Sequence, residues 1–210
     1  AQFFERGPGQ VTRVERFEQI VSVDDKYLFT VRQRVANPTG GAIAVRPYGL
    51  VSRATKSPDP DGWTMHVGPM GVLNGLANYD INWDTLDEAG RNGLSFTSRG
   101  GWVGFTDKYW LTALAPSGSP AIDATLRKAP SGAYQADYAR QPVIVGPGQA
   151  VTTETHLFAG AKEYELLKAY QGAGIEELSR AIDWGWFRWF MLPIFDLLLF
   201  LFRLIGNFGV

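Results

Sequence analysis

The C-terminal segment, residues 184–205, constrains this chain most, because it is too apolar to lie uncovered on a soluble domain. Trp, Phe, Leu and Ile fill most of its positions. Three charged residues, Arg188, Asp196 and Arg203, interrupt it. No charge-free run inside it approaches the roughly 18 residues that a helix needs to cross a bilayer. The segment therefore predicts an apolar helix that does not span a membrane.

The three charges share one side of this predicted helix. At roughly 100° per residue, Arg188, Asp196 and Arg203 fall within about 80° of one another. A helix with a narrow charged stripe and a broad Trp/Phe/Leu face is typical of a segment that lies in a membrane interface. A core helix whose polar edge faces water would show the same pattern. The segment alone leaves both interpretations open.

Composition excludes several classes of function. The chain has 210 residues, with 20 Lys and Arg against 21 Asp and Glu, so a nucleic-acid partner is not expected. It has no cysteine, which excludes disulfides, a thiol nucleophile and Cys-ligated zinc. It begins at Ala1 without methionine and shows no signal peptide. We therefore expect an excised or processed piece of a longer protein.

From about residue 10 to residue 158, short runs of Val, Ile, Tyr, Phe and Thr alternate with turn residues, which predicts an all-β domain. Residues 27–35 alternate between apolar and charged side chains, as in a strand with one solvated face. Residues 126–134 predict a hairpin, with Pro130 and Gly132 in the turn. Two polar stretches, residues 56–62 and 84–93, are expected to be solvated, mobile loops.

Helical patterns replace this strand pattern after residue 160. Residues 161–170 place Tyr164 and Leu167 on one stripe, and the Gly172-Ala173-Gly174 sequence ends that helix. A second helix is expected over residues 175–182, before the aromatic segment. Pro193 should bend or restart the helix in which it lies.

The remaining motifs are weak indicators of chemistry. Gly100, Gly101 and Gly104 lie close together, but no Gly-Lys-Ser/Thr sequence follows them, so a glycine-kinked strand with core aromatics is favoured over a phosphate loop. Glu154 and His156 lie two apart on a predicted strand, where they could form an acid–base pair on a sugar or simply belong to an outward polar face.

No catalytic residue, cofactor or metal site is predicted. The other histidine, His66, is isolated in sequence and is expected to be structural or exposed. No stretch of the chain has the spacing of metal ligands.

Several segments, in order, resemble the first periplasmic domain of the bacterial YidC/Oxa/Alb family of membrane protein insertases. The resemblance covers the whole chain, and its C-terminal part is the most specific. The matching segments are Gly100-Gly101-Trp102-Val103-Gly104, Tyr109-Trp110-Leu111-Thr112-Ala113, Phe158-Ala159-Gly160-Ala161-Lys162-Glu163-Tyr164, Ala181-Ile182-Asp183-Trp184-Gly185-Trp186-Phe187, Pro193-Ile194-Phe195 and Gly206-Asn207-Phe208-Gly209.

This resemblance implies a mostly β fold, a galactose-mutarotase-like β-supersandwich followed by C-terminal helices that include an amphipathic interfacial helix. The implied domains are a periplasmic sandwich over residues 1–159, helices packed on it over 160–183, the interfacial helix over 184–205, and the start of a truncated transmembrane helix at 206–210. The implied location is the periplasmic side of the cell inner membrane.

The function implied by the resemblance is that of a non-catalytic scaffold and interaction module in an insertase and chaperone for inner-membrane proteins. Its implied partners are the lipid interface, the transmembrane core of the same protein, nascent membrane proteins and Sec translocon components. The residues expected at the membrane interface are Trp184, Trp186, Phe187, Trp189, Phe190, Phe195, Leu198, Phe202 and Ile205.

A carbohydrate-binding or mutarotase-like domain is the alternative function. It would use Glu154 and His156 as candidate ligand-site residues. Sandwich folds host many unrelated functions, so this alternative depends on the geometry of that pair.

Overall fold

The computed structural model describes residues 16–59 and 65–206. Residues 1–15 of the predicted sandwich, 60–62 of the first predicted loop and 207–210 of the predicted transmembrane start lie outside the described residues. The strands are β1 (Arg16–Val23), β2 (Leu28–Ala36), β3 (Ile43–Val45), β4 (Tyr48–Arg53), β5 (Gly68–Leu73), β6 (Leu76–Ala77), β7 (Leu94–Arg99), β8 (Trp102–Thr106), β9 (Trp110–Pro116), β10 (Ala121–Lys128), β11 (Tyr134–Arg140), β12 (Val143–Val145) and β13 (Ala150–Ala161). The helices are α1 (Trp83–Ala89), α2 (Tyr164–Gly172), a short 3-10 helix (Leu178–Ala181) and α3 (Arg188–Ile205).

Antiparallel pairing joins these strands into sheets. A seven-stranded sheet has the order β1-β2-β13-β9-β8-β5-β6, and a four-stranded sheet has the order β4-β11-β10-β7. β12 pairs with β3 in a small separate sheet. The predicted hairpin is confirmed, since β10 and β11 pair from Lys128 opposite Tyr134 to Ile122 opposite Arg140.

The first core lies between the two larger sheets. Val103, Phe105 and Leu114 of the seven-stranded sheet pack there against Ile122 and Leu126 of the four-stranded sheet. Strand side chains alternate between faces, so each strand contributes every second residue to this core. The predicted fold class, a mostly β sandwich followed by C-terminal helices, is confirmed.

A second core covers the other face of the seven-stranded sheet. Met70, Trp102 and Phe158 point away from the first core and pack against Leu167 of α2 and Leu178 of the 3-10 helix. The fold therefore has three layers, with the seven-stranded sheet in the middle.

The glycine-rich stretch forms a turn at Gly100 and Gly101 and then strand β8, so the predicted strand with core aromatics is confirmed. Trp102 and Phe105 of β8 are buried on opposite faces, one in each core. A Cβ added to Gly104 would lie 1.8 Å from the carbonyl oxygen of Thr112 on β9. Glycine is needed here because the two strands approach closely, and not because of a phosphate.

The predicted loop at residues 84–93 is wrong over its first half, where the chain forms α1. Asn82 caps this helix through its side-chain oxygen, which accepts the Thr85 amide at 2.9 Å. Trp83 and Leu86 are buried in the first core. The carboxylate of Asp87, taken for a loop residue, is held by two lysines and a tyrosine. The N-cap and the two buried side chains thus stabilise a helix in a segment whose polar sequence favours a loop.

The helix expected over residues 175–182 shortens to the 3-10 helix. Glu177, immediately before it, has a left-handed backbone with φ +54°, which an α-helix does not tolerate. Leu178 and Ala181 still bury themselves in the second core.

α3 starts later and runs further without interruption than the sequence predicts. Residues 184–187 are not helical, and the helix continues through Pro193. Of its eighteen residues, all described, none is buried. Among the helices in the described part of the chain, none is both long and apolar enough to cross a membrane.

Candidate interaction surface

α3 is attached to the domain through a cluster of three aromatic rings. The ring of Phe195 lies 5.3 Å from that of Tyr164 on α2 and 5.1 Å from that of Trp184, and the latter two are 5.8 Å apart. All three contacts are edge-on, the arrangement that aromatic quadrupoles favour. Further along α3, Nη2 of Arg203 lies 3.7 Å from Oε2 of Glu165. The helix therefore contacts the domain through the first turn of α2.

The charged stripe of α3 lies on this attached side. At 100° per residue, Arg188, Asp196 and Arg203 fall about 20°, 100° and 80° from Phe195 around the helix. Arg188 is half-buried, and Arg203 reaches α2. The polar edge is thus next to the domain, where a core helix would instead place its apolar side.

The side of α3 that faces away from the domain is apolar and exposed. Leu204, about 180° from Phe195, has 72% of its surface accessible to water. Its exposed neighbours on this outward face span nearly the whole helix. The outward face comprises Trp189, Phe190, Ile194, Leu197, Phe200, Leu201, Leu204 and Ile205.

The nine predicted interface residues divide into two groups. Trp184 and Phe195 belong to the ring cluster against α2, so they attach the segment to the domain and do not lie on the outward face. The other seven are exposed, although two of them lie in the turn before α3. These seven are Trp186, Phe187, Trp189, Phe190, Leu198, Phe202 and Ile205.

Sequence reasoning missed three residues at the centre of the outward face: Leu197, Phe200 and Leu204. They lie about 200°, 140° and 180° from Phe195 on a helical wheel. The angle from Phe195 around the helix would identify these residues, but only after the contact of Phe195 with α2 is known.

Glu154 and His156 lie on the face of β13 that points away from the first core. Thr155, between them, points inward, and its hydroxyl bonds to the hydroxyl of Tyr138 at 2.5 Å. Oε1 of Glu154 lies 3.7 Å from Nε2 of His156, while Oε2 accepts Nη2 of Arg32 at 2.9 Å. The carboxylate is therefore held in an ion pair on a sheet surface. This ion pair favours the outward polar face over an acid–base pair, and a sugar on this face stays the alternative prediction.

The other candidate for acid–base or metal chemistry, His66, is structural. It is buried, and its Nε2 lies 3.0 Å from the carbonyl oxygen of Pro69. Within residues 16–59 and 65–206, no group of three or more His, Asp or Glu residues could hold a metal ion.

Lys162, at the end of the strand region, carries a perturbed amine. Its Nζ donates to Oγ1 of Thr106 at 2.8 Å. Burial beside this strand end lowers the pKa of the Lys162 amine to about 8, although Asp107 and Asp183 partly oppose the shift. The amine thus lies at the junction between β13 and α2, two residues before Tyr164 of the ring cluster.

Comparisons with known proteins agree with this architecture. The family model described as the YidC periplasmic domain matches residues 11–197. A membrane protein insertase YidC from Zymomonas mobilis is 38% identical over 204 residues, which cover 96% of this chain and 34% of that protein. Proteins of the same name are 36% identical in Rhizobium etli, over 92% of this chain and 33% of theirs, and 38% identical in Methylorubrum extorquens, over the same shares.

The chain spans about a third of the length of these curated relatives. The matches therefore concern the region that the family model describes, and this region contains both cores and most of α3.

Proposed function

The chain belongs to the YidC periplasmic domain family, and we propose that it serves a membrane protein insertase as a non-catalytic periplasmic scaffold, held against the inner membrane by α3. The sandwich provides surfaces for protein contacts, and α3 connects it to the lipid interface. The proposed domains are the sandwich up to residue 159, the packed helices over 160–183, the interfacial segment over 184–205 and a transmembrane helix that starts at 206–210.

The outward face of α3 is the observation that carries this proposal. An apolar face about 160° wide, on a helix with no buried residue, needs an environment other than water. The charged stripe beside α2 can meet the domain and interfacial water while the outward face enters the acyl boundary. Trp189 and Phe190 stand near the start of α3, and aromatic rings of this kind favour the headgroup level.

The proposed partners are the lipid interface, the transmembrane core of the same protein, nascent membrane proteins and Sec translocon components. The names of the relatives support the insertase partners, and the outward face supports the lipid. Nucleic acid is not among these partners, since the net charge of −1 offers no excess of cations for phosphate.

Vesicle flotation of the 210-residue chain tests the lipid contact. Leu197→Asp with Leu204→Asp places two charges in the middle of the outward face. In neutral phosphatidylcholine vesicles we expect the partition coefficient to fall at least about tenfold, because burying one leucine contributes about 1.5–3 kcal/mol and each 1.4 kcal/mol is a factor of ten.

The matched control is Leu76→Asp with Ile144→Asp. Both residues are exposed, apolar and away from α3, and the change in net charge is the same. This control should float like the original chain. Equal flotation of the two double variants would remove α3 as the membrane contact.

A further inference from the structure

The same tripeptide occurs at two turns of the seven-stranded sheet. Asp25-Lys26-Tyr27 stands between β1 and β2, and Asp107-Lys108-Tyr109 stands between β8 and β9. We name these segments the Asp-Lys-Tyr turns. They are 82 positions apart in the sequence, so only the sheet order can bring them together.

The sheet places the two Asp-Lys-Tyr turns on either side of one strand end. β2 and β9 are the two neighbours of β13. The Ala159 amide donates to the carbonyl of Tyr27 at 3.1 Å, and the Lys162 amide donates to the carbonyl of Tyr109 at 2.9 Å. The first turn is thus bonded to the last residues of β13 and the second to the residue that follows this strand, where the chain leaves the sheet.

Both turns carry exposed aromatic rings beside an exposed lysine. Tyr109 has 64% of its surface accessible to water, its neighbour Trp110 57% and Tyr27 45%. The ammonium of Lys108 lies 5.2 Å from the centre of the Tyr109 ring. A ring that is half apolar and half polar, next to a long flexible cation, suits the boundary between acyl chains and headgroups.

α3 is attached at this same end of the sheet. Its contacts, Tyr164 and Glu165, follow Lys162 by two and three residues, so their backbone lies within about 11 Å of the second turn. Lys26 and Tyr27 of the first turn line one open groove together with Glu163 and Glu165. The two turns and α3 therefore surround the junction of β13 and α2.

We propose that the two Asp-Lys-Tyr turns touch the headgroup layer of the lipid surface on which α3 lies. This proposal rests on the membrane contact of α3 proposed above. A single helix lying flat leaves the sandwich free to roll about the helix axis, whereas two additional contacts beside it fix the tilt of the sheet. The sandwich then meets the membrane with one defined end, and its opposite end points into the periplasm.

The charges around the turns indicate which lipids this contact needs. Asp107 is paired with Arg53 at 2.7 Å, and Glu165 is paired with Arg203. Asp25 and Glu163 add negative charge beside Lys26. The rings and not a net positive charge therefore drive the contact, so neutral vesicles are sufficient.

Environment-sensitive labels test the geometry directly, because the chain has no cysteine and each introduced cysteine is unique. A fluorophore whose emission shifts to shorter wavelength in lipid is attached to Lys26→Cys, Lys108→Cys, Leu204→Cys or Leu76→Cys. Leu76 follows the far end of β5, whose first residue pairs with Thr106 beside the second turn. It is therefore about 20 Å from that turn along the sheet.

We expect phosphatidylcholine vesicles to shift the emission at positions 26, 108 and 204 and to leave position 76 unchanged. A shift at 204 with none at 26 and 108 would overturn the turn contact and leave the α3 proposal intact. A shift at only one turn would overturn the paired contact. No shift at 204 would remove the membrane contact of α3 itself.

A second measurement uses variants without labels. Tyr109→Ser with Trp110→Ser should lower the partition coefficient about threefold in flotation. Tyr48→Ser with Leu76→Ser is the control, since Tyr48 is as exposed as Tyr109 but lies on an edge strand of the other large sheet. Equal partitioning of the two double variants would contradict the proposal.

Discussion

The two C-terminal helices, α2 and α3, place their apolar residues in opposite ways. α2 buries Leu167 and Tyr170 against the seven-stranded sheet and turns Glu165 and Lys168 to water. α3 is twice as long and far more apolar, yet none of its residues is fully buried, and its charged stripe lies beside the domain. α2 has the pattern of an ordinary core helix, whereas α3 has the pattern of a helix whose outward side faces an apolar environment.

This difference shows that amphipathicity alone does not decide which side of a helix meets the protein. α2 lies over Trp102 and Phe158, whose rings offer apolar surface on the sheet. α3 has no such sheet beneath it in the described chain, and it is attached through the ring cluster with Tyr164 and the ion pair of Arg203 with Glu165. The available partner surface therefore determines the side that is buried.

The largest expected effect is a difference in stability between two substitutions, one leucine to alanine in α2 and one in α3. Leu167→Ala should destabilise the domain by about 3 kcal/mol, because it leaves a cavity in the second core. Leu204→Ala should change the unfolding free energy by less than about 0.5 kcal/mol in the absence of lipid, because the side chain is exposed. Urea unfolding followed by circular dichroism measures both. A cost above about 1 kcal/mol for Leu204→Ala would mean that its face is packed against protein in solution.

A smaller change in stability is expected on substitution of Lys162, which lies at the junction between β13 and α2. At pH 7 its amine is protonated in both the folded and the unfolded chain, so the folded state carries the cost of a partly buried charge. Lys162→Met should remove this cost and raise the unfolding free energy by about 1 kcal/mol, after allowing for solvent screening and the lost bond to Thr106.

The stabilisation by Lys162→Met should depend on pH, because the pKa of the Lys162 amine is lowered in the folded chain. Between the folded pKa of about 8 and the unfolded value of 10.5, the folded amine loses its proton first, so the original chain gains stability as the pH rises. The advantage of Lys162→Met should therefore shrink between pH 8 and pH 10 in thermal unfolding. Lys168→Met, on the exposed side of α2, is the control and should show no such trend. An advantage that stays constant with pH would contradict a lowered pKa at Lys162.

The smallest effect is expected at the ion pair between the helices. Arg203→Ala removes a contact of 3.7 Å between two exposed side chains, which contributes less than about 0.5 kcal/mol. Amide hydrogen exchange over α3 should hardly change. Phe195→Ala, which removes a ring from the three-ring cluster, should increase the exchange of α3 clearly more. The reverse order would mean that charge and not ring packing attaches the helix.

Strand positions could be predicted from the sequence because alternation and turn residues act locally. In β2, Arg32 and Arg34 are exposed and Val31 and Val35 are half-buried, as the pattern predicts. α1 was missed because a short helix with only two buried residues leaves little periodic signal.

The side on which α3 is attached could not be predicted for a different reason. It depends on contacts between Phe195 and Tyr164, which are 31 positions apart in the sequence. The Asp-Lys-Tyr turns show the same limit. Their repeated tripeptide is visible in the sequence, but their adjacency follows only from the position of β13 between β2 and β9.

Pro193 sets a limit on how deeply α3 can enter a bilayer. Proline has no amide hydrogen, so the carbonyl of Trp189, one turn earlier, lacks its usual partner within the helix. An unpaired carbonyl costs several kcal/mol in hydrocarbon but little where water reaches it. Because Pro193 and Trp189 both lie toward the outward side, the helix can be immersed only to the depth at which headgroup water still solvates that oxygen. In the proposed membrane contact, Pro193 would therefore limit the depth of immersion of α3 without breaking the helix.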